Sequence, residues 1–284
     1  MTGNTLGWVI VAFVLYLLMM IAIGAFYAKG NNNSEDYFLG GRKLNGFVAA
    51  LSAQASDMSG WLLMGLPGAI YLTGVGGDGW IAIGLFIGTT LNWLFIATKL
   101  RRYTIRANNS VTLPTYFENR FHDEKKVLMA VSSITIVVFF LVYCASALSA
   151  GGQLFESVFG IDYHVALTIG ALVVLVYTFL GGFTAVCVTD FIQGMLMLVG
   201  ILAVPLFAYH FLTTGGTTLS AGLEASGADS ANFLNLMKNG DGSNNIISVI
   251  SGLGWGLGYF GMPHILVRFM AVRDEKEMTK SKAT

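Results

Sequence analysis

The chain alternates long apolar runs with shorter polar stretches, and the runs are longer than a soluble core requires. A helix needs about 20 apolar residues to cross the hydrocarbon of a bilayer. Seven stretches approach that length: Leu6 to Ala28, Gly46 to Leu72, Trp80 to Thr98, Val127 to Gly151, Val165 to Gly182, Phe191 to His210 and Ile246 to Phe269. Lipid leaves backbone polar groups no outside partner, so such runs become helices. The pattern predicts an all-α polytopic membrane protein with 1–284 as a single membrane domain. The first run has no basic residues before it and exceeds the apolar core of a secretory signal, so it reads as a retained span.

Composition supports this. Hydrophobic residues make up 55% and charged residues 11%, where soluble domains carry about 25% charged residues. A net charge of zero gives no reason to expect a nucleic acid partner. Thirty-five glycines against four prolines suit helices packed closely in lipid. Cys144 and Cys187 lie in or beside apolar runs without metal-ligand spacing and read as packing residues.

Loop charge sets the orientation, because Lys and Arg collect on the cytoplasmic side of short loops. Lys29, Arg42 and Lys43 surround the first loop, and the third holds Lys99, Arg101, Arg102, Arg106, Arg120, Lys125 and Lys126. Arg268, Arg273, Lys276, Lys280 and Lys282 follow at the end of span seven, while the opposite face has Lys238. The N-terminus is therefore expected outside a bacterial cytoplasmic membrane, with the Thr284 end in the cytoplasm. The polar loop 211–245 faces outward, either as a gate or cap or as a passive linker, and 270–284 forms the cytoplasmic end.

Two spans contain residues that a continuous helix disfavours. Span two carries Ala55-Ser-Asp57-Met-Ser59-Gly60, then Gly65, Pro67 and Gly68. Asp57 reads as the one acid deep within a span; a carboxylate there costs several kcal/mol unless something satisfies it. A cation could do so, as could neighbouring helices holding a structural Asp. Span seven carries Gly252, Gly254, Gly256, Gly258 and Gly261 around Trp255, Tyr259 and Pro263, a poor helix interior. Close helix packing is the simpler account of those glycines. Gly256 to Gly261 also fits a dinucleotide-binding glycine pattern, but inside an apolar membrane run that reading fails.

Two interrupted spans placed five helices apart point to a transporter built from inverted repeats. Residues 46–210 would form the first five-helix repeat, 6–28 an extra leading helix, and 246–269 the opening helix of the second repeat. A broken helix leaves carbonyls unpaired at one half-helix end and N–H groups at the other. Carbonyls of Ala55 and Met58 could hold sodium, while N–H groups near Ser59 and Gly60 could take a substrate carboxylate. The nucleophile, base or metal cluster of an enzyme does not appear within the spans.

The strings Leu51-Ser-Ala-Gln-Ala-Ser-Asp-Met-Ser-Gly-Trp-Leu-Leu-Met-Gly-Leu-Pro67, Tyr143-Cys-Ala-Ser146, Tyr177-Thr-Phe-Leu-Gly-Gly-Phe-Thr-Ala185 and Gly254-Trp-Gly-Leu-Gly-Tyr-Phe-Gly-Met-Pro-His-Ile-Leu-Val-Arg268 resemble the sodium:solute symporter family, and within it the proline-importing members. The resemblance implies a leucine-transporter-type inverted-repeat fold and alternating access. It implies no cofactor, with sodium as the co-transported ion at Ala55, Asp57 and Met58. Proline is implied near Ser59, Tyr143, Trp255, Tyr259 and Pro263, with Arg42 and Asp190 in coupling or gating. Positive-inside placement would also explain Arg42, and a helix N-cap would explain Asp190. His122, His164, His210 and His264 read as interfacial anchors. The family has about a dozen spans, so a chain of seven is expected to be a truncated piece with an incomplete ion site and no transport of its own. Rival readings are a family member carrying another small carboxylate such as pantothenate, or the membrane sensor domain of a histidine kinase.

Overall fold

The computed structural model describes residues 3–284; Met1 and Thr2, the start of the expected domain, lie outside the described residues. Helix α1 spans Gly3–Ala28. In the following loop the Asn33 side chain accepts from the Asp36 N–H and starts α2, Ser34–Leu39. Asn45 caps α3, Gly46–Asp57, in the same way through the Phe47 N–H, as short polar side chains do at helix starts. Helix α3 stops at Met58, whose backbone is extended (ψ 98°). A π-helical turn, Trp61–Gly65, and α4, Leu66–Thr73, then resume the span.

Helix α5, Val75–Leu91, continues through a second π-helical turn, Asn92–Ala97, into α6, Thr98–Arg106. The short α7, Leu113–Phe121, opens on a capping box between Thr112 and Thr115. Helix α8 covers Val127–Phe159 and α9 covers Tyr163–Thr214. Two short helices, α10 (Leu219–Ala225) and α11 (Ser230–Phe233), lie in the long polar loop. Helix α12, Ile246–Trp255, passes through a 3-10 stretch, Gly256–Gly261, to α13, Pro263–Ala271, and α14 covers Glu275–Ala283.

All seven predicted spans have helical counterparts. Among the described residues four helices are long and apolar enough to cross a membrane alone, and α12 with α13, bent by 46°, would make a fifth if the pair is one span. Span two is the broken pair α3 and α4. Helix α9, with 52 residues, would measure about 78 Å if straight, more than twice the hydrocarbon thickness. It is divided at Gly182, whose φ of 60° and ψ of −158° belong to a region essentially reserved for glycine. Gly181 lies against Gly24 of α1, and by Gln193 the chain has returned to Tyr16 and Met20. The two halves therefore run antiparallel along α1. This corrects the sixth predicted span: residues 183–190 are helix rather than loop. Thr189 and Asp190 made the stretch read as polar, yet both are buried.

Helices α5 and α12 touch through backbone. A Cβ built on Gly84 or Gly88 would strike the main chain of Gly252 or Gly256, respectively. At the Arg-rich end of the bundle, the Leu44 N–H donates to the Ala271 carbonyl (3.1 Å) and the Arg273 N–H to the Leu44 carbonyl (3.0 Å). Phe269, Met270 and Val272 are fully buried there, and the α14 side chain of Glu277 accepts the Gly46 N–H at 2.9 Å. At the other end, residues 211–214 prolong α9 rather than opening the loop, and the rest of the segment to 245 is bonded to the bundle. Asn245 donates to the carbonyls of Gly76 (2.6 Å) and Leu236 (2.7 Å), and the Gly240 N–H donates to the Thr73 carbonyl.

Candidate binding site

Helix α3 measures 12 residues, so its break lies about 18 Å from its start, roughly halfway through the hydrocarbon. The 3-10 stretch of span seven reaches the same depth, and α8 closes the third side. Between them lies a cavity of about 280 Å³ lined by Asp57, Ser59, Gly60, Trp61, Tyr143, Ser146, Trp255, Tyr259, Met262 and His264, among others. Its volume sits at the lower edge of the range for small-molecule sites, about 300–1,000 Å³. A compact solute fits such a space better than an extended one.

Six of the expected residues thus meet at one cavity: Asp57, Ser59, Gly60, Tyr143, Trp255 and Tyr259. Ala55 and Met58 belong to the same break, on its α3 side, with the Ala55 side chain packed toward Gly194. Pro263 departs from the expectation. As the first residue of α13 it faces an adjoining apolar groove with Val111, Phe140 and Val267, because the helical turn that begins there rotates it away from Tyr259.

The two breaks are tied together by the Tyr259 hydroxyl, which donates to Asp57 Oδ2. Asp57 therefore has a protein partner, as its simpler reading required, but it also faces the cavity. Its other oxygen retains lone pairs for a cation. The Tyr143 hydroxyl lies 3.5 Å from the Ser56 carbonyl, the main-chain group just before Asp57. Trp61 and Trp255 stack at 5.6 Å with rings 12° apart. Together they form an aromatic wall suited to a small apolar ring.

Asp190 corrects two expectations. It is not a helix N-cap, since helix precedes it, and it is a second acid held within a span. Its Oδ2 accepts from Ser52 (2.7 Å), Ser56 (3.0 Å) and Arg268 (2.8 Å). Arg268 is accordingly no loop cation: it is buried, paired with Asp190 and placed over the Phe183 ring. Serines 52 and 56 lie one α3 turn apart, so this network rests on the half-helix that ends at the cavity.

Arg42 also proves to be more than a surface cation. Its guanidinium, buried at the mouth of α3, donates to Asn109 Oδ1, Thr104 Oγ1 and the carbonyls of Met270 and Ser110. Glu35 stands 3.4 Å away. Burial lowers the Arg42 pKa and the neighbouring Glu35 charge opposes that shift. The side chain fastens the first loop to α6 and to the end of α13.

Three contributors escaped the sequence reading. His264 is no interfacial anchor: it stacks on Tyr143 at 5.7 Å, and among the described residues neither ring nitrogen has a hydrogen-bond partner. Trp61 follows the break directly, a position that could have singled it out. Asn92 gave no signal beyond an amide in an apolar run; it donates to the Tyr259 carbonyl at 2.9 Å.

Paired helix breaks around a mid-bilayer cavity define a secondary-transporter architecture. The sequence profile of the sodium:solute symporter family matches residues 37–284, and the chain belongs to that family. It is 48% identical over 262 residues to a sodium/proline symporter of Salmonella typhimurium, covering 92% of this chain and 50% of that protein. A high-affinity proline transporter of Bacillus subtilis is 47% identical over 263 residues, with 93% and 54% covered. A solved structure of a Na+-coupled sialic acid symporter, in a substrate-bound outward-open state, superposes with a TM-score of 0.74 at 19% identity. It covers 94% of this chain and 55% of the solved one, and it establishes the leucine-transporter-type fold. The chain spans about half the length of the curated relatives it matches.

Proposed function

We propose that these residues form the sodium- and substrate-gripping half of a symporter that imports L-proline by alternating access. The observation that carries this reading is the meeting of both helix breaks at one cavity, joined through Asp57 and Tyr259. Sodium is held by the carbonyls of Ala55 and Met58 with help from Asp57. The substrate carboxylate lies toward Ser59 and Gly60, and the pyrrolidine lies among Tyr143, Trp255 and Tyr259. Arg42 and Asp190 act in coupling, since Arg42 ties the first loop to the end of α13 and Asp190 links α3 to α13. Pro263 acts by starting α13 rather than by touching the substrate.

Residues 46–210 form the first repeat, 6–28 the added helix and 246–269 the start of the second, with the N-terminus outside and the Arg-rich end in the bacterial cytoplasm. The packed layer around Leu44, Phe269 and Glu277 then seals the cytoplasmic side. Sodium entering down 100 mV supplies about 2.3 kcal/mol, and a tenfold gradient adds about 1.4 kcal/mol. These suffice for accumulation of a neutral zwitterion of several hundred-fold. The deciding experiment is uptake of labelled proline by the full-length protein in proteoliposomes. Uptake is expected with an inward sodium gradient and lost when potassium replaces sodium. Sodium-independent uptake, or sodium-driven uptake of pantothenate but not proline, would overturn the reading.

A further inference from the structure

Asn92 is fully buried in the π-helical turn that follows α5. Its Nδ2 donates to the main-chain carbonyl of Tyr259 at 2.9 Å, while among the described residues its Oδ1 has no partner. A half-satisfied buried amide is destabilising. Leucine would fill nearly the same space without that penalty, so packing alone does not account for an asparagine here. The bond it makes falls on a residue whose side chain ties the break of span seven to the break of span two, since the Tyr259 hydroxyl donates to Asp57. Tyr259 lies in the 3-10 stretch between α12 and α13, where helical bonding no longer fixes the chain.

We infer that Asn92 is a positioning residue for sodium coupling: by holding the Tyr259 carbonyl it sets the reach of the Tyr259 hydroxyl and thereby the orientation of the Asp57 carboxylate toward the ion. This rests on the proposed sodium site at Asp57. It assigns the third span, α5 with the π-helical turn that follows it, a part in ion binding although Asn92 lies outside the cavity lining. The geometry of α5 favours such a role, since its contact with Gly252 and Gly256 leaves little freedom to shift along span seven.

The test uses the full-length protein in proteoliposomes, measuring the sodium concentration that half-saturates proline uptake. Asn92→Leu is expected to raise that concentration roughly five- to tenfold, the equivalent of one lost hydrogen bond of about 1 kcal/mol or slightly more. Tyr259→Phe is expected to raise it as well, and the double variant no further than the larger single effect, because both act on one chain of contacts. Asn92→Gln, which keeps the amide donor, is expected to recover part of the loss. Unchanged sodium dependence in Asn92→Leu, or strictly additive effects in the double variant, overturns the inference while leaving the transport reading in place. Absence of sodium-dependent proline uptake by the wild type overturns the transport reading and this inference with it. If Asn92→Leu fails to reach the membrane, Asn92→Ala, which removes the Nδ2 donor without adding bulk or charge, decides the question by the same readout.

Discussion

Replacing Arg268 by methionine would remove the cation from a pair buried within the bundle and leave Asp190 with Ser52 and Ser56 alone. At the 2.8 Å separation of Arg268 Nη2 and Asp190 Oδ2, Coulomb attraction amounts to about 6 kcal/mol for an effective dielectric of about 20. Desolvation of two buried ions takes back several kcal/mol each, so the net worth of the intact pair is small. Breaking it from one side is different, because the remaining charge stays buried without its partner at a cost of about 3–5 kcal/mol. The two serine hydroxyls already bound to Asp190 place the Arg268→Met loss toward the lower end of that range. Removing both charges with Asp190→Asn and Arg268→Met restores neutrality and should recover much of the loss. Thermal unfolding of the purified full-length protein should therefore rank wild type above the double variant, and the double variant above either single one. A double variant as unstable as the sum of the two singles would refute the argument, since it would mean that the charges do not act as a pair.

Three further outcomes follow from the same geometry. Asp57→Asn should raise the sodium requirement for proline uptake at least about tenfold while leaving the amount of protein in the membrane unchanged; an unaltered sodium dependence counts against the ion role. Gly88→Ala should cost about 1–3 kcal/mol or more as overpacking, because its Cβ would meet the Gly256 main chain, whereas Gly200→Ala, at an open helical position, should not lower the melting temperature. The Glu277 pKa is lowered, first by the Lys280 ammonium and then by the Gly46 N–H. A lowered folded pKa makes its contribution fully present above the ordinary value of 4.5 and lost as pH falls through the folded value. The wild type should thus lose its stability advantage over Glu277→Gln on acidification below that value, and a gap that persists unchanged at low pH would reject the ion-cap account.

The broad architecture could be read from hydropathy because lipid leaves the backbone few choices. The two breaks were legible at Ser59–Gly60 and Gly256–Gly261, where poor helix formers gather inside apolar runs. What escaped was pairing across the fold. Arg268 looked like one more basic residue at a span end, since a sequence shows the charge but not the Asp190 carboxylate 78 positions earlier that neutralises it. Asp190 looked like the edge of a loop for the matching reason. His264 appeared peripheral because the bend at Met262 swings the next turn beneath Tyr143. Asn92 was invisible because its partner is a carbonyl, and every residue has one.

The turn at Gly182 carries a consequence for how the chain enters its bilayer. No Lys or Arg lies between Tyr163 and Thr214, so charge bias gives the inserting chain no instruction to reverse there. The instruction resides in one torsion angle that a side chain would obstruct. Were that reversal to fail, the apolar rod would cross once instead of twice, and Asn239 and Asp274 would each face the compartment opposite to its native one. The parity of the whole topology, and with it the alignment of the two half-sites, is set by the smallest residue in the chain.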